Sequence, residues 1–246
     1  MSIIFMMNIV FINIVVLLLL SVFWSKWTYK LFKPYAWQED RRKKHILPAV
    51  EKIEARFKDR NRFYAVWFLM RQIDDNDVVG DMACVGVDGY ELASVMHHLS
   101  PQRKLLLFDK FDKKPLHGVR ENCDGQVREE VLETKNLTKE EVIRSIEGNS
   151  NVIAYAGDVK QNVSENGVDT TYSFVSFDII YYDLLSDMLA AFYARLSPGG
   201  VMLIHDYNHN WDDVRRAVND FAATVPESFV AIPDMYGSVV LVKTKR

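Results

Sequence analysis

Short apolar runs that end in glycine or an acid alternate along this chain with stretches of helical spacing. That alternation constrains the fold more than any other feature. The runs are 78–86, 104–109, 152–157, 172–178 and 201–205, and the helical stretches are 90–99, 138–146, 184–196 and 211–224. Strand-length and helix-length segments in this order predict βαβ units around a parallel sheet. The tail departs from the rule: 228–232, a Pro233-Asp234-Met235-Tyr236-Gly237 turn and 238–243 predict an antiparallel hairpin. Upstream, Ile53, Phe57, Phe63, Val66, Trp67 and Met70 recur at helical spacing and predict one or two helices over 50–70. The charged, weakly periodic stretch 110–133 predicts a long surface loop with some helix.

Composition narrows the function classes. The chain has 246 residues, 49% of them hydrophobic, enough for one large domain or a medium domain with an appendage. Lys and Arg number 30 against 33 Asp and Glu, a balance that gives no support to nucleic-acid binding. Cys84 and Cys123 are too few for a disulfide framework, and neither lies in a metal-binding spacing.

The appendage is at the N-terminus. From Ser2 to Ser25 no side chain is charged. As a helix this run measures about 36 Å, enough to cross a hydrocarbon core of about 30 Å. No basic residue precedes it and no small-residue cleavage pattern follows it, so a membrane anchor over 1–25 is expected rather than a cleaved signal. The next segment, 26–62, holds twelve basic residues against five acidic ones, with Trp24, Trp27, Tyr29, Tyr35 and Trp37 nearby as an aromatic belt. The positive-inside rule then predicts a single-pass protein with its domain, 63–246, on the cytoplasmic side. The cluster Arg41–Lys44 is placed either to touch anionic lipid or to form a solvated face.

In a doubly wound sheet ligands bind at the carboxyl ends of the strands, so strand-terminal residues carry the functional reading. Gly86 and Gly89 end the first run in a glycine turn that lets backbone approach a nucleotide-like ligand. Asp109 closes the next run about twenty residues further on, the interval at which an acid meets ribose hydroxyls. Gly157 and Asp158 end a third run, where a carboxylate can reach an adenine amino group. A glycine turn and two acids at three strand ends in register predict a nucleoside site.

These residues, with those below, resemble the macrocin O-methyltransferase family of S-adenosylmethionine- and divalent-metal-dependent sugar O-methyltransferases. The resemblance runs from about Val78 to Lys243. It is carried by Val79-Gly80-Asp81-Met82, Asp109-Lys110-Phe111-Asp112, Phe177-Asp178-Ile179-Ile180-Tyr181-Tyr182, Leu196-Ser197-Pro198-Gly199-Gly200-Val201, His205-Asp206-Tyr207 and Arg216-Ala217-Val218-Asn219-Asp220-Phe221. It implies a Rossmann-like class I methyltransferase fold with a mostly parallel seven-stranded sheet closed by an antiparallel hairpin. It implies S-adenosylmethionine as cofactor and Asp178 as general base. The chain departs from the family pattern in having Ile180 in place of the second acid, His205 in place of the first acid of Asp-Asp-Tyr, and Cys84 in place of a glutamate.

Removing the proton of an alcohol is easier when a cation stabilises the alkoxide. Asp178 and Asp206 end strands on the same side of the sheet and are expected to share a divalent metal, Mg²⁺ or Mn²⁺. His205 is either a further ligand or a packing residue beside them, and His209 is a second candidate base. Two functions stand open at this level. One is an anchored O-methyltransferase acting on a sugar, polyol or lipid-linked glycan; the other is a non-catalytic adaptor that keeps the fold. A homo-oligomer is compatible with either.

Overall fold

The computed structural model describes residues 3–31, 33–112, 116–121, 127–132, 137–209 and 211–244. The chain divides into two compact units, Met1–Leu47 and Pro48–Arg246.

The first unit contains α1 (Ile3–Leu31) and α2 (Tyr35–Arg42). Within α1, the stretch Ile3–Trp24 is long and apolar enough to cross a bilayer, and none of that stretch is buried in the protein.

The second unit opens with α3 (Pro48–Arg56) and α4 (Arg60–Asp75). Asp59 caps α4 by accepting the backbone N–H of Arg62 at 3.1 Å. One face of α4 is buried through Phe63, Tyr64, Val66, Trp67, Met70 and Ile73. Both helices lie inside this compact unit, which begins at Pro48, whereas the sequence reading divides the chain at residue 63. The charge of 26–62 resembled a linker, but the buried faces of these helices belong to a core.

There follow β1 (Asp81–Val85), α5 (Glu91–Leu99), β2 (Leu105–Asp109), β3 (Leu116–Glu121), β4 (Val127–Leu132), α6 (Lys139–Ser145), β5 (Val152–Ala156), α7 (Val159–Asn166), β6 (Tyr172–Phe177), α8 (Tyr182–Arg195), β7 (Leu196–Ile204), α9 (Asp212–Ala222), β8 (Val230–Ala231) and β9 (Val239–Val242). The main sheet has the order β5-β2-β1-β6-β7-β9-β8. Its first five strands pair in parallel, and β9 runs antiparallel to both β7 and β8. The buried runs of β1, β2 and β6 are near-continuously apolar, as a parallel sheet covered on both faces requires. Phe192 of α8 gathers Phe108, Tyr172 and Phe177 at ring-centroid distances of 6.1, 4.9 and 5.6 Å.

Three local features differ from expectation. Within 110–133, β3 and β4 form a separate two-stranded antiparallel sheet rather than loop with helix. The polar helix α7 buries only Val159 and Val163, too thin a stripe to register as amphipathic. Ser197-Pro198-Gly199-Gly200 lies inside β7, whose pairing with β6 slips between Leu196 and Val201.

The chain leaves β1 toward β2 and β5 on one side, then returns to β6 and β7 on the other. The carboxyl ends of β1 and β6 therefore form the topological switch point, where open α/β sheets bind ligands.

Candidate active site

Gly86 follows β1 and has φ +82°. A Cβ there would lie 2.1 Å from the carbonyl oxygen of Asp178, so glycine is required by the close crossing of two strand ends. The crossing is held by hydrogen bonds from Gly86 N–H to Phe108 O (2.9 Å) and from Asp178 N–H to Val85 O (2.9 Å). Gly89, at φ +94°, lies in the bend ahead of α5.

Asp109 ends β2 beside this turn. Its two carboxylate oxygens accept the backbone N–H of Val87 at 2.9 Å and of Phe111 at 2.8 Å. Burial pushes its pKa up, against the pull of these two donors. Each oxygen keeps a lone pair for a further donor, which suits a ribose hydroxyl. Phe111 is held at φ +50°, an uncommon conformation for an aromatic residue, by the turn that presents its N–H to Asp109. Gly157 donates its N–H to the Asp109 carbonyl at 3.1 Å. The exposed Asp158 caps α7, accepting Gln161 N–H at 2.8 Å through one oxygen.

Asp178 and Asp206 do come together at the ends of β6 and β7. Burial raises the pKa of Asp178, Asp206 adds to the rise, and Arg62 opposes it. Burial likewise raises Asp206, with Arg62 and His209 acting against it. Asp206 has φ +61°, a left-handed conformation that aspartate tolerates. A carboxylate with raised proton affinity is a stronger base, the property required of the group that takes a hydroxyl proton.

His205 takes no part in this pair. Its ring is 2% exposed, with Nε2 2.7 Å from Ser176 Oγ and Nδ1 3.3 Å from Ser238 Oγ. Ser238 Oγ donates to Asp234, so it accepts from Nδ1–H and leaves Nε2 to accept from Ser176. Both nitrogens are engaged, and the expectation that His205 ligates a metal is corrected accordingly. Burial, then the charge of Arg62, lowers its pKa well below 6.5. His209 acts electrostatically on Asp206; its ring meets Tyr236 edge-on at 4.8 Å, and its buried Nδ1 has no hydrogen-bond partner among the described residues.

Sequence reasoning missed Arg62, which it counted among the basic residues next to the membrane. In the first turn of α4, its Nε donates to Asp234 Oδ2 at 3.0 Å and its Nη2 lies 3.9 Å from Asp206 Oδ1. Asp234, Asp178 and Asp206 together outweigh burial and raise its pKa. All three acids lie far along the chain, so no local pattern could have marked it.

The metal expectation meets this geometry directly. Ile180 is buried as an apolar side chain, His205 has no free nitrogen, and a guanidinium already faces Asp206. Among the described residues no group of three His, Cys, Asp or Glu side chains is arranged to hold a metal ion. These residues do not fit a divalent-metal site of the expected kind. Cys84, the other departure, is buried in β1 with Sγ 3.5 Å from Met96 Sδ, and burial followed by the charge of Asp178 pushes its pKa up to about 12. It is an inert core thiol.

The sheet order, with its antiparallel edge and a glycine turn facing strand-end acids at the switch point, defines a class I methyltransferase. Solved structures share the fold, and three of them illustrate it. The O-methyltransferase NovP matches with a TM-score of 0.61 at 18% identity, covering 76% of this chain and 81% of that chain. CalS11, a calicheamicin methyltransferase, matches at 0.56 and 18%, covering 74% and 78%. TomG, an O-methyltransferase from Streptomyces achromogenes involved in tomaymycin synthesis and solved in complex with SAM, matches at 0.53 and 12%, covering 81% and 91%. No curated protein sequence matches significantly. Residues 25–232 match the macrocin-O-methyltransferase (TylF) family, and the chain belongs to it. Membership decides between the two functions left open by the sequence: the protein is an S-adenosylmethionine-dependent O-methyltransferase.

Proposed function

We propose that the enzyme methylates a hydroxyl of a sugar or polyol-type small molecule, with Asp178 as general base. The observation that carries this reading is the position of Asp178: a carboxylate of raised proton affinity, at the switch point, against the turn at Gly86. When bound, S-adenosylmethionine supplies a methyl group on a positively charged sulfur, which leaves as a neutral thioether once the acceptor oxygen has taken the methyl. Asp109 accepts ribose hydroxyls, and the turn from Gly86 to Gly89 leaves room for the ligand at the strand ends. Gly157 and Asp158 border the adenine side. Asp178 takes the proton of the acceptor hydroxyl and later returns it to solvent. His209 is the reserve base beside Asp206. No step is assigned to a divalent metal, because the side chains present do not form its site.

The stretch Ile3–Trp24 serves in this reading as a single-pass anchor that holds the domain on the cytoplasmic side, near a small-molecule or lipid-linked glycan acceptor. In water its exposed apolar surface would be unfavourable by about 25 cal/mol per Å², which a bilayer relieves. Deleting residues 1–25 is expected to move the protein from the membrane fraction to the soluble fraction. Full-length protein soluble without detergent refutes the anchor.

The test of function is methyl transfer from labelled S-adenosylmethionine across a panel of sugars, polyols and lipid-linked glycans, by wild type and Asp178→Asn. Loss of the base should slow transfer by about 10²- to 10⁴-fold, with cofactor affinity little changed. Wild-type rates in Asp178→Asn would remove it as base. A wild-type protein that binds no S-adenosylmethionine would refute the reading.

A further inference from the structure

The guanidinium of Arg62, largely buried, is the unexplained charge of this site. It reaches the acids from α4, an element that precedes the whole sheet, and its placement is fixed at several points. Asp59 caps the helix through Arg62 N–H and also accepts Met235 N–H at 2.7 Å, tying the start of α4 to the segment that carries Asp234. Arg62 Nε binds Asp234 at 3.0 Å, and the guanidinium carbon lies 5.8 Å from the centre of the Tyr236 ring. Asp234 also accepts Ser238 N–H and Oγ–H, and Ser238 meets His205, whose far nitrogen meets Ser176. The chain of hydrogen bonds from Arg62 to Ser176 is therefore closed, and its histidine is spoken for.

One donor is left over. Arg62 Nη2 is buried and has no hydrogen-bond partner among the described residues; Asp206 Oδ1 lies 3.9 Å away, beyond hydrogen-bond reach. A buried charged donor without an acceptor is costly to keep, which points to a group that completes it when the site is filled. Asp178 and Asp206 are likewise two half-buried acids that repel each other, and Arg62 is the arginine whose charge acts against the raised proton affinity of both.

We propose that Arg62 is the resident cation of this active site: it neutralises the Asp178–Asp206 pair where a divalent metal would otherwise sit, and its free Nη2–H receives the acceptor oxygen that is to be methylated. The inference rests on the functional reading for the identity of the acceptor. The acceptor O–H passes its proton to Asp178, and the negative charge that grows on oxygen as the proton leaves is met by the Nη2–H of a group that stays protonated throughout. A guanidinium suits the task because it does not lose its proton at neutral pH and acts without a metal-dependent step.

The experiment is a titration of full-length protein in detergent with MnCl₂, followed by the electron paramagnetic resonance of free Mn²⁺. The variants are Arg62→Gln, Arg62→Lys, Asp178→Asn and Arg62→Gln combined with Asp178→Asn. Wild type and Arg62→Lys should show only weak, non-saturating binding. Arg62→Gln removes the like charge and should gain about tenfold or more in Mn²⁺ affinity, with one saturable site, since like charges a few ångströms apart repel strongly at the effective dielectric of a protein. The added Asp178→Asn should abolish that site. Saturable one-to-one Mn²⁺ binding by wild type, lost in Asp178→Asn, would overturn the proposal, as would an Arg62→Gln protein that binds Mn²⁺ no better than wild type. Thermal melting reports whether Arg62→Gln is folded; if it is not, the wild-type titration decides alone. Calorimetry of S-adenosylmethionine on the same samples tests the functional reading, so its failure is read apart from that of the Arg62 assignment.

Discussion

Substituting alanine at Gly86 and at Gly157 separates two physical costs that sequence alone cannot tell apart. Both glycines have φ in the region that side chains rarely adopt, +82° and +116°. An added Cβ at Gly157 has Asn162 Nδ2 as its nearest neighbour, at 3.8 Å, an ordinary contact. That variant should lose only the conformational term, about 1–3 kcal/mol. At Gly86 the Cβ would lie 2.1 Å from the carbonyl oxygen of Asp178 and 2.7 Å from its carbonyl carbon. Neither atom can swing away as a side chain does, because Asp178 N–H is hydrogen-bonded to Val85 at 2.9 Å. Overpacking of this kind adds about 1–3 kcal/mol. For a domain of this size a kilocalorie shifts the melting temperature by about 2–4 °C. Gly86→Ala should therefore melt roughly 2–12 °C below Gly157→Ala, by differential scanning fluorimetry of the full chain in detergent. It should also lose methyl transfer beyond its loss of stability, because relief of the overlap moves Asp178. Equal melting temperatures and equal activity in the two variants would refute the close crossing of β1 and β6 as the reason for Gly86.

Asp109→Asn should weaken S-adenosylmethionine binding by about 10- to 150-fold, the equivalent of a lost charge-assisted hydrogen bond of about 1.5–3 kcal/mol. The amide also turns a donor toward Val87 N–H or Phe111 N–H, both of which now face acceptors. Calorimetry checks this, and an unchanged affinity in folded protein removes Asp109 from the cofactor site. His205 makes stability depend on pH. Its folded pKa lies below the unfolded value, so the unfolded chain binds the extra proton as pH falls below about 6.5 and stability drops by up to about 1.4 kcal/mol per pH unit. Melting temperatures measured downward from about pH 7.5 should show the slope, and His205→Gln should flatten it. An identical slope in the variant would place the titration elsewhere.

The alternation of strand and helix, the C-terminal hairpin, the glycine turn and Asp109 at the end of β2 were all legible in the sequence. Each rests on local physics: the period of apolar residues, the freedom of glycine, the interval between two strand ends. Helix α7 carries a cap at Asp158 but buries only Val159 and Val163, so its pattern was too thin to see. The β3–β4 sheet lies in a charged stretch, where pairing leaves little apolar alternation to read.

What only the tertiary structure decided is the set of charges in the site. Asp178 and Asp206 were legible as strand-end acids, yet whether they share a metal or face an arginine depends on α4, more than a hundred residues away along the chain. Arg62 lies in a basic segment whose other members are unremarkable in composition, and nothing in its neighbours marks it. From its place beside Asp206, His205 reads equally as a ligand or as a packing residue. Ser176 and Ser238 make it a buried hydrogen-bonding residue instead. Periodicity and propensity act over a few residues and leave their mark in order along the chain. Electrostatic and hydrogen-bond partners are set by distance in space, and the sequence records them only as residue types.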